Sequence, residues 1–193
     1  MSDQALQRLL DGNRRFTAHR PALDASPARR REVARGQKPV AMVLGCVDSR
    51  VPPELIFDQG LGDLFVIRTA GEVLDQAALG SLEFGVAELG IPILVVLGHQ
   101  QCGAVKAAID ESAGHGEAEA DVRYLVEALA PAIEAGKRLG GELWDQAGRA
   151  QIALQVERLR RSPILAEAVA SGALHVVGAW YDLETGLVEM TGD

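Results

Sequence analysis

Two cysteines and one histidine stand directly after two apolar runs of the sequence. Cys46 follows the run at 40–44, while His99 and Cys102 follow the run at 93–97. Thiolates and a neutral imidazole are ligands that zinc prefers, and three of them leave the fourth position of a tetrahedral site open for chemistry. A simpler interpretation is available for each residue, because cysteine is a common buried apolar residue and histidine is often a hydrogen-bonded core residue.

The segment after the first cysteine carries two further groups that an apolar strand does not need. Asp48 and Arg50 stand two and four residues beyond Cys46. A guanidinium group can hold a carboxylate through two parallel hydrogen bonds, which fixes an acceptor in one orientation. This pair beside a thiolate favours a reactive metal site over a buried free cysteine.

These residues depend for their position on short apolar runs separated by helical patterns. The runs at 40–44, 64–67 and 93–97 are apolar on both faces and bounded by turn residues, as is typical of buried parallel strands. Between the last two runs, residues 75–89 repeat apolar side chains at helical spacing. Ligands of open α/β sheets bind at the carboxyl ends of the strands, so both cysteine segments are predicted to meet at one edge.

The second half of the chain adds helices and a terminal hairpin. Two helices are predicted over 121–161, with a break near Gly140, and a third is expected after Ser162 because a capping residue followed by proline favours a helix start. Residues 174–180 and 187–190 resemble two strands of a hairpin.

The composition is that of one ordinary globular domain, with 48% apolar and 24% charged residues among 193. We predict an α/β fold, with a mostly parallel β-sheet flanked by helices at 37–193 and an N-terminal helical arm at 1–36. The longest apolar stretch, 91–98, is too short to span a membrane. Because the chain also shows no apolar leader, we expect a cytoplasmic protein that binds no membrane.

The charge is acidic overall and unevenly distributed. The net charge of −8 argues against a nucleic-acid-binding protein. Residues 1–38 nevertheless carry 9 basic and 4 acidic side chains, whereas 39–193 carry 10 basic and 23 acidic ones. The basic stretch 28–31 could contact RNA, but a solvated helix face or an arm lying on an acidic body is the preferred interpretation.

The motifs in three segments resemble those of the β-class carbonic anhydrases, in particular the plant-like branch. These segments are 46–50 (CVDSR), 68–71 (RTAG) and 99–103 (HQQCG), and the similarity is densest over 37–110. It implies an α/β enzyme that reversibly hydrates carbon dioxide to bicarbonate and a proton. It also implies one zinc ion per chain and an obligate dimer with active sites at the subunit boundary.

Carried over residue by residue, the resemblance makes Cys46, His99 and Cys102 the zinc ligands and makes Asp48 and Arg50 the catalytic pair. Asp48 also matches a carboxylate that can move onto zinc as a fourth ligand and close the site. Zinc would supply the attacking hydroxide, because it lowers the pKa of bound water to about 7.

The resemblance also implies four contacts with substrate. Gly103 matches a backbone N–H donor to bound bicarbonate, and Gln37 matches a glutamine that hydrogen-bonds substrate. Phe65 and Phe84 match an apolar pocket wall, although Phe84 replaces the tyrosine expected there.

Self-association follows from both the charge pattern and the resemblance. We expect a homodimer, with a tetramer as an alternative, in which the basic N-terminal helix lies across the partner subunit. The helix would bury an apolar stripe that includes Leu6, Leu9 and Phe16.

Three functions stay open from the sequence. The leading one is a zinc-dependent carbonate dehydratase. A second keeps the same zinc site but hydrolyses a related cumulene such as carbon disulfide. A third is a zinc-binding protein without catalysis, which Asp48, Arg50 and Gln37 argue against, because a structural zinc site is closed by four ligands.

Overall fold

The protein is built on one five-stranded sheet, seen in a computed structural model that describes residues 2–192. The strand order is β2-β1-β3-β4-β5, with the first four strands parallel and β5 antiparallel to β4. The strands are β1 (Ala41–Cys46), β2 (Leu64–Thr69), β3 (Ile93–His99), β4 (His175–Tyr181) and β5 (Val188–Thr191). This arrangement confirms the predicted mostly parallel sheet.

Eight helices surround the sheet within the described residues, and one 3-10 turn at Ala70–Glu72 follows β2. The helices are α1 (Ser2–Thr17), α2 (Pro27–Val33), α3 (Pro53–Ile56), α4 (Gln76–Ala87), α5 (Gly103–Ser112), α6 (Val122–Leu139), α7 (Leu143–Arg160) and α8 (Pro163–Ala170). None of them is long and apolar enough to cross a lipid bilayer.

Both faces of the central strands are covered, which explains why their sequences are apolar throughout. Every residue of β1 and β3 is buried. Side chains alternate between the two faces, so Met42 and Leu44 pack with α4, α7 and α8, while Val43 packs on the other side with α1 and α3.

The N-terminal helix packs onto the sheet of its own chain. Leu9 is fully buried on the chain's own sheet, and Leu6 and Phe16 pack against the same cluster. The Asn13 side chain donates hydrogen bonds to the carbonyl oxygens of Ile56, at 3.2 Å, and Gly186, at 2.8 Å. The expectation that this stripe lies across a partner subunit is therefore wrong, because the stripe covers one apolar face of its own chain's sheet.

The strand register sets the position of the two cysteine segments. Cys46 pairs with Thr69 at the ends of β1 and β2, and Gly45 pairs with Leu97 of β3. The carboxyl ends of β1, β2 and β3 therefore share one edge of the sheet, as predicted, and the loops that follow them face one another.

Candidate metal centre

Three possible metal ligands converge where β1 and β3 end. Cys46 is the last residue of β1, His99 is the last residue of β3, and Cys102 directly precedes α5. Their ligand atoms all lie within 4.8 Å of one another, and the two sulfur atoms are 3.9 Å apart. All three residues are buried. The structure thus brings together the three side chains that the sequence indicated.

The donor set and its spacing fit zinc. With Zn–S bonds of about 2.3 Å, two sulfurs on a tetrahedral ion lie about 3.8 Å apart, close to the distance between Cys46 and Cys102. His99 Nδ1 lies 2.7 Å from the Gln100 carbonyl oxygen, which can only accept, so Nδ1 carries the proton. His99 Nε2 therefore bears the lone pair. It is buried without a hydrogen-bond partner, which suits a nitrogen atom that binds a metal ion.

The two thiols titrate as a pair. The hydrogen bond with Cys102 lowers the pKa of Cys46 to about 4, against burial, and contacts with His99 and the Gly71 N–H group lower it further. The hydrogen bond to Cys46 and burial raise the pKa of Cys102. One negative charge therefore forms readily and the second does not, so a cation between the sulfurs is what allows both to ionise.

A fixed carboxylate lies beside these ligands. Arg50 donates from Nε to Asp48 Oδ1 at 3.0 Å and from Nη2 to Asp48 Oδ2 at 2.7 Å, the two-bond arrangement expected from the sequence. The hydrogen bond from the Arg50 side chain lowers the pKa of Asp48 to about 2. Asp48 Oδ2 lies 4.0 Å from His99 Nε2. The carboxylate is thus ionised and held on the arginine close to the ligand group.

Backbone carbonyl groups around the centre are held by side chains from distant parts of the chain. Arg68 donates to the carbonyl oxygens of Cys46, at 2.7 Å, and Asp48, at 2.6 Å. Trp144 Nε1 donates to the carbonyl oxygen of Cys102 at 2.8 Å. The sequence signalled Arg68 only as part of a motif and gave no signal for Trp144.

The four residues expected to contact substrate lie in two different places. Gly103 begins α5 beside Cys102, where the N–H groups of the first helical turn have no partner within the helix. Phe65 pairs with Met42, four residues before Cys46, which places it about 13 Å below the edge that holds the metal ligands.

The other two residues lie with Phe65 rather than with the ligands. Phe84 stacks on Phe65, with ring centroids 6.5 Å apart, and is 50% exposed. Gln37 is exposed and precedes the opposite end of β1 from Cys46. Within one chain, therefore, the structure does not bring Gln37, Phe65 or Phe84 to the metal ligands.

Comparison with known sequences identifies one family. A family model described as carbonic anhydrase matches residues 41–188. Carbonic anhydrase 2 of Mycobacterium tuberculosis is 45% identical over 184 residues, covering 94% of this chain and 89% of the relative. The carbonic anhydrase of Mycolicibacterium smegmatis is 44% identical over 192 residues, covering 96% and 91%.

Comparison with solved structures gives the same fold. A β-carbonic anhydrase of Coccomyxa in complex with acetazolamide has a TM-score of 0.75 at 28% identity, covering 96% of this chain and 85% of that chain. One of two tetrameric β-carbonic anhydrases from Sordaria macrospora has a TM-score of 0.79, covering 87% and 88%. At 23% identity, this second likeness shows the fold alone.

Proposed function

This chain belongs to the β-carbonic anhydrase family, and from that premise we propose that it is a zinc-dependent carbonate dehydratase (EC 4.2.1.1) that reversibly hydrates carbon dioxide to bicarbonate and a proton. The observation that carries the proposal is the convergence of Cys46, His99 and Cys102 beside an Asp48 carboxylate that Arg50 holds in place. A purely structural zinc site has four protein ligands and needs no such pair.

Cys46, His99 and Cys102 would hold the zinc ion, one per chain. Zinc, when bound, makes water a nucleophile at neutral pH by lowering its pKa. Arg50 keeps Asp48 ionised, so the carboxylate can only accept hydrogen bonds. It would orient the nucleophile by accepting a hydrogen bond from it. The positive charge of Arg50 also offsets part of the negative charge that two thiolates bring to the centre.

The first turn of α5 would bind the product. Gly103 is exposed at the start of this helix, directly after Cys102. Backbone N–H groups at a helix N-terminus favour anions through both hydrogen bonding and the helix dipole. An N–H donor at Gly103 therefore suits the developing negative charge of bicarbonate.

The proposal includes a homodimer in which a second copy supplies the rest of the substrate pocket. Phe84 is exposed and stacks on the half-buried Phe65 of β2, which is an edge strand of the sheet. Gln37 lies outside the core near the same end of β1. Because these three side chains cannot reach the metal ligands of their own chain, they serve the reaction only if they approach the centre of a second copy.

The cellular location belongs to the same proposal. Cys46 and Cys102 are buried free thiols that the zinc site needs in the reduced form. A reducing compartment preserves such thiols, which favours the cytoplasm.

Stopped-flow hydration of carbon dioxide, paired with metal analysis, tests this function. The purified protein is expected to contain one zinc per chain and to be active, whereas Cys102→Ser is expected to lose zinc and activity together. His115→Ala provides a control, because this exposed loop residue is not one of the clustered ligands. Full activity in a zinc-free Cys102→Ser protein would overturn the assignment.

A further inference from the structure

The turn at Ala70–Glu72 places a backbone N–H group against one of the metal ligands. Gly71 donates to the Cys46 sulfur at a distance of 3.4 Å. Gly71 has φ +63°, and Glu72 next to it has φ +51°. Left-handed backbone is unfavourable for a residue with a side chain, so this turn, in which Glu72 adopts it, persists only where its surroundings hold it.

A buried glutamine from a distant helix anchors this turn. Gln151 lies in α7 with no exposed surface, and its Nε2 donates to the Gly71 carbonyl oxygen at 2.9 Å. Leu129 and Ala104 also pack closely against the turn, because both lie 3.2 Å from where a Cβ atom at Gly71 would be. The Gln151 amide is thus a directional contact that sets how the Gly71 carbonyl points.

The orientation of the Gln151 amide follows from its surroundings. If the amide were flipped, its oxygen would face the Gly71 carbonyl oxygen, and two acceptors would repel each other. In the observed orientation Oε1 is buried and has no hydrogen-bond partner. The Gln151 amide therefore interacts with the turn through its N–H group alone, while its oxygen atom makes no hydrogen bond.

We propose that Gln151 is a positioning residue of the metal centre, which acts through Gly71 by holding its N–H group against the Cys46 sulfur. A hydrogen bond donated to a metal-bound thiolate withdraws electron density from the sulfur. The metal then keeps more of its positive charge than two unassisted thiolates would leave it. This role rests on the proposed zinc-dependent hydration, and it links α7 to a ligand 105 residues away in the sequence.

The test is the Gln151→Met protein, in which a side chain of similar length lacks the donor. Gln155→Met is the matched control, because Gln155 lies one helical turn further along α7, is also buried and also has an unpaired Oε1. In the cobalt-substituted proteins, Gln151→Met is expected to move the sulfur-to-cobalt charge-transfer band to longer wavelength. With zinc, its turnover is expected to fall about ten-fold, with one zinc per chain and an unchanged KM. Gln155→Met is expected to match wild type in both measurements.

An unshifted band in folded Gln151→Met would overturn the proposal, as would equal shifts in both variants. The band reports on the sulfur whether or not the protein hydrates carbon dioxide, so failure of the proposed function is a separate result. If Gln151→Met does not fold, the test is made instead by NMR on the wild-type protein loaded with cadmium-113. Scalar coupling between the Gly71 amide proton and cadmium across the Cys46 sulfur is expected, and its absence would overturn the proposal.

Discussion

Arg50 supports the Asp48 carboxylate through two hydrogen bonds and also donates to the Gln101 carbonyl oxygen at 3.2 Å. Arg50→Ala removes this support, so Asp48 no longer presents a fixed acceptor. We expect turnover to fall about 100-fold while zinc stays near one per chain, as measured by stopped flow and metal analysis. Arg123→Ala is the control, since Arg123 pairs with Glu117 on the surface. Wild-type turnover in Arg50→Ala would contradict the role given to the pair.

Only part of this site could be predicted from neighbouring residues. The zinc ligands and the Asp48–Arg50 pair lie within two short segments, so residue types and spacing were enough to indicate them. The partner of His99 Nδ1 is a backbone carbonyl group, which no residue type encodes. Gln151 reaches Gly71 across 80 residues of sequence, and nothing but the folded arrangement of α7 brings them together.

At the scale of elements, an ion pair fastens α1 to the loop after α3. Asp58 is buried, accepts from Arg15 Nε at 2.5 Å and also accepts from the backbone N–H groups of Ala22 and Leu23. Burial raises the pKa of Asp58, but these contacts together outweigh it, so the pKa is lowered on folding. The stabilisation is therefore complete above the unfolded value near 3.9 and is lost as pH falls through the folded value.

Asp58→Asn tests this fastening. We expect the free energy of unfolding at about pH 7 to fall by about 2 kcal/mol, and the difference from wild type to shrink as pH drops below about 4. Urea unfolding of both proteins at matched pH values across this range measures it, since any release of zinc at acidic pH affects wild type and variant alike. Asp11→Asn is the control, because Asp11 pairs with Arg14 on the exposed face of α1 and should leave stability unchanged. A pH-independent difference would show that packing, rather than charge, is responsible.

The elements themselves followed from sequence patterns more reliably than their contacts did. Three apolar runs gave β1, β2 and β3, and the break near Gly140 matches a left-handed glycine between α6 and α7. Ser162 does precede α8, but its hydroxyl donates to Glu83 at 2.5 Å instead of capping the helix. The charge pattern and the family resemblance both predicted that the apolar stripe of the N-terminal helix lies across a partner subunit. This was wrong, since neither specifies which apolar surface the helix covers in this chain.

At the scale of the whole molecule, the proposed dimer depends on the aromatic pair formed by Phe65 of the edge strand β2 and Phe84. Phe84→Arg places a charge in that surface, so we expect sedimentation velocity to detect monomers and activity to fall while the zinc content is kept. Tyr124→Arg is the matched control, because Tyr124 at the start of α6 is equally exposed, at 51%. A dimeric Phe84→Arg protein would place the interface elsewhere.

The assembly of the whole sheet required more than sequence patterns. Alternating strands and helices predicted a mostly parallel sheet. The strand order β2-β1-β3-β4-β5 depends on which strands pair with one another, and these pairs join residues far apart in the sequence. Because β1 lies between β2 and β3, three strand ends meet at one edge, and the two cysteine segments become one site.

The central claim is that zinc held by Cys46, His99 and Cys102 makes this chain a carbonic anhydrase. The most direct test adds zinc stepwise to chelator-stripped protein and follows carbon dioxide hydration by stopped flow. Activity is expected to rise from the buffer rate in proportion to zinc and to level off at one equivalent per chain. A folded protein that binds one equivalent of zinc and still hydrates carbon dioxide no faster than buffer would contradict the claim.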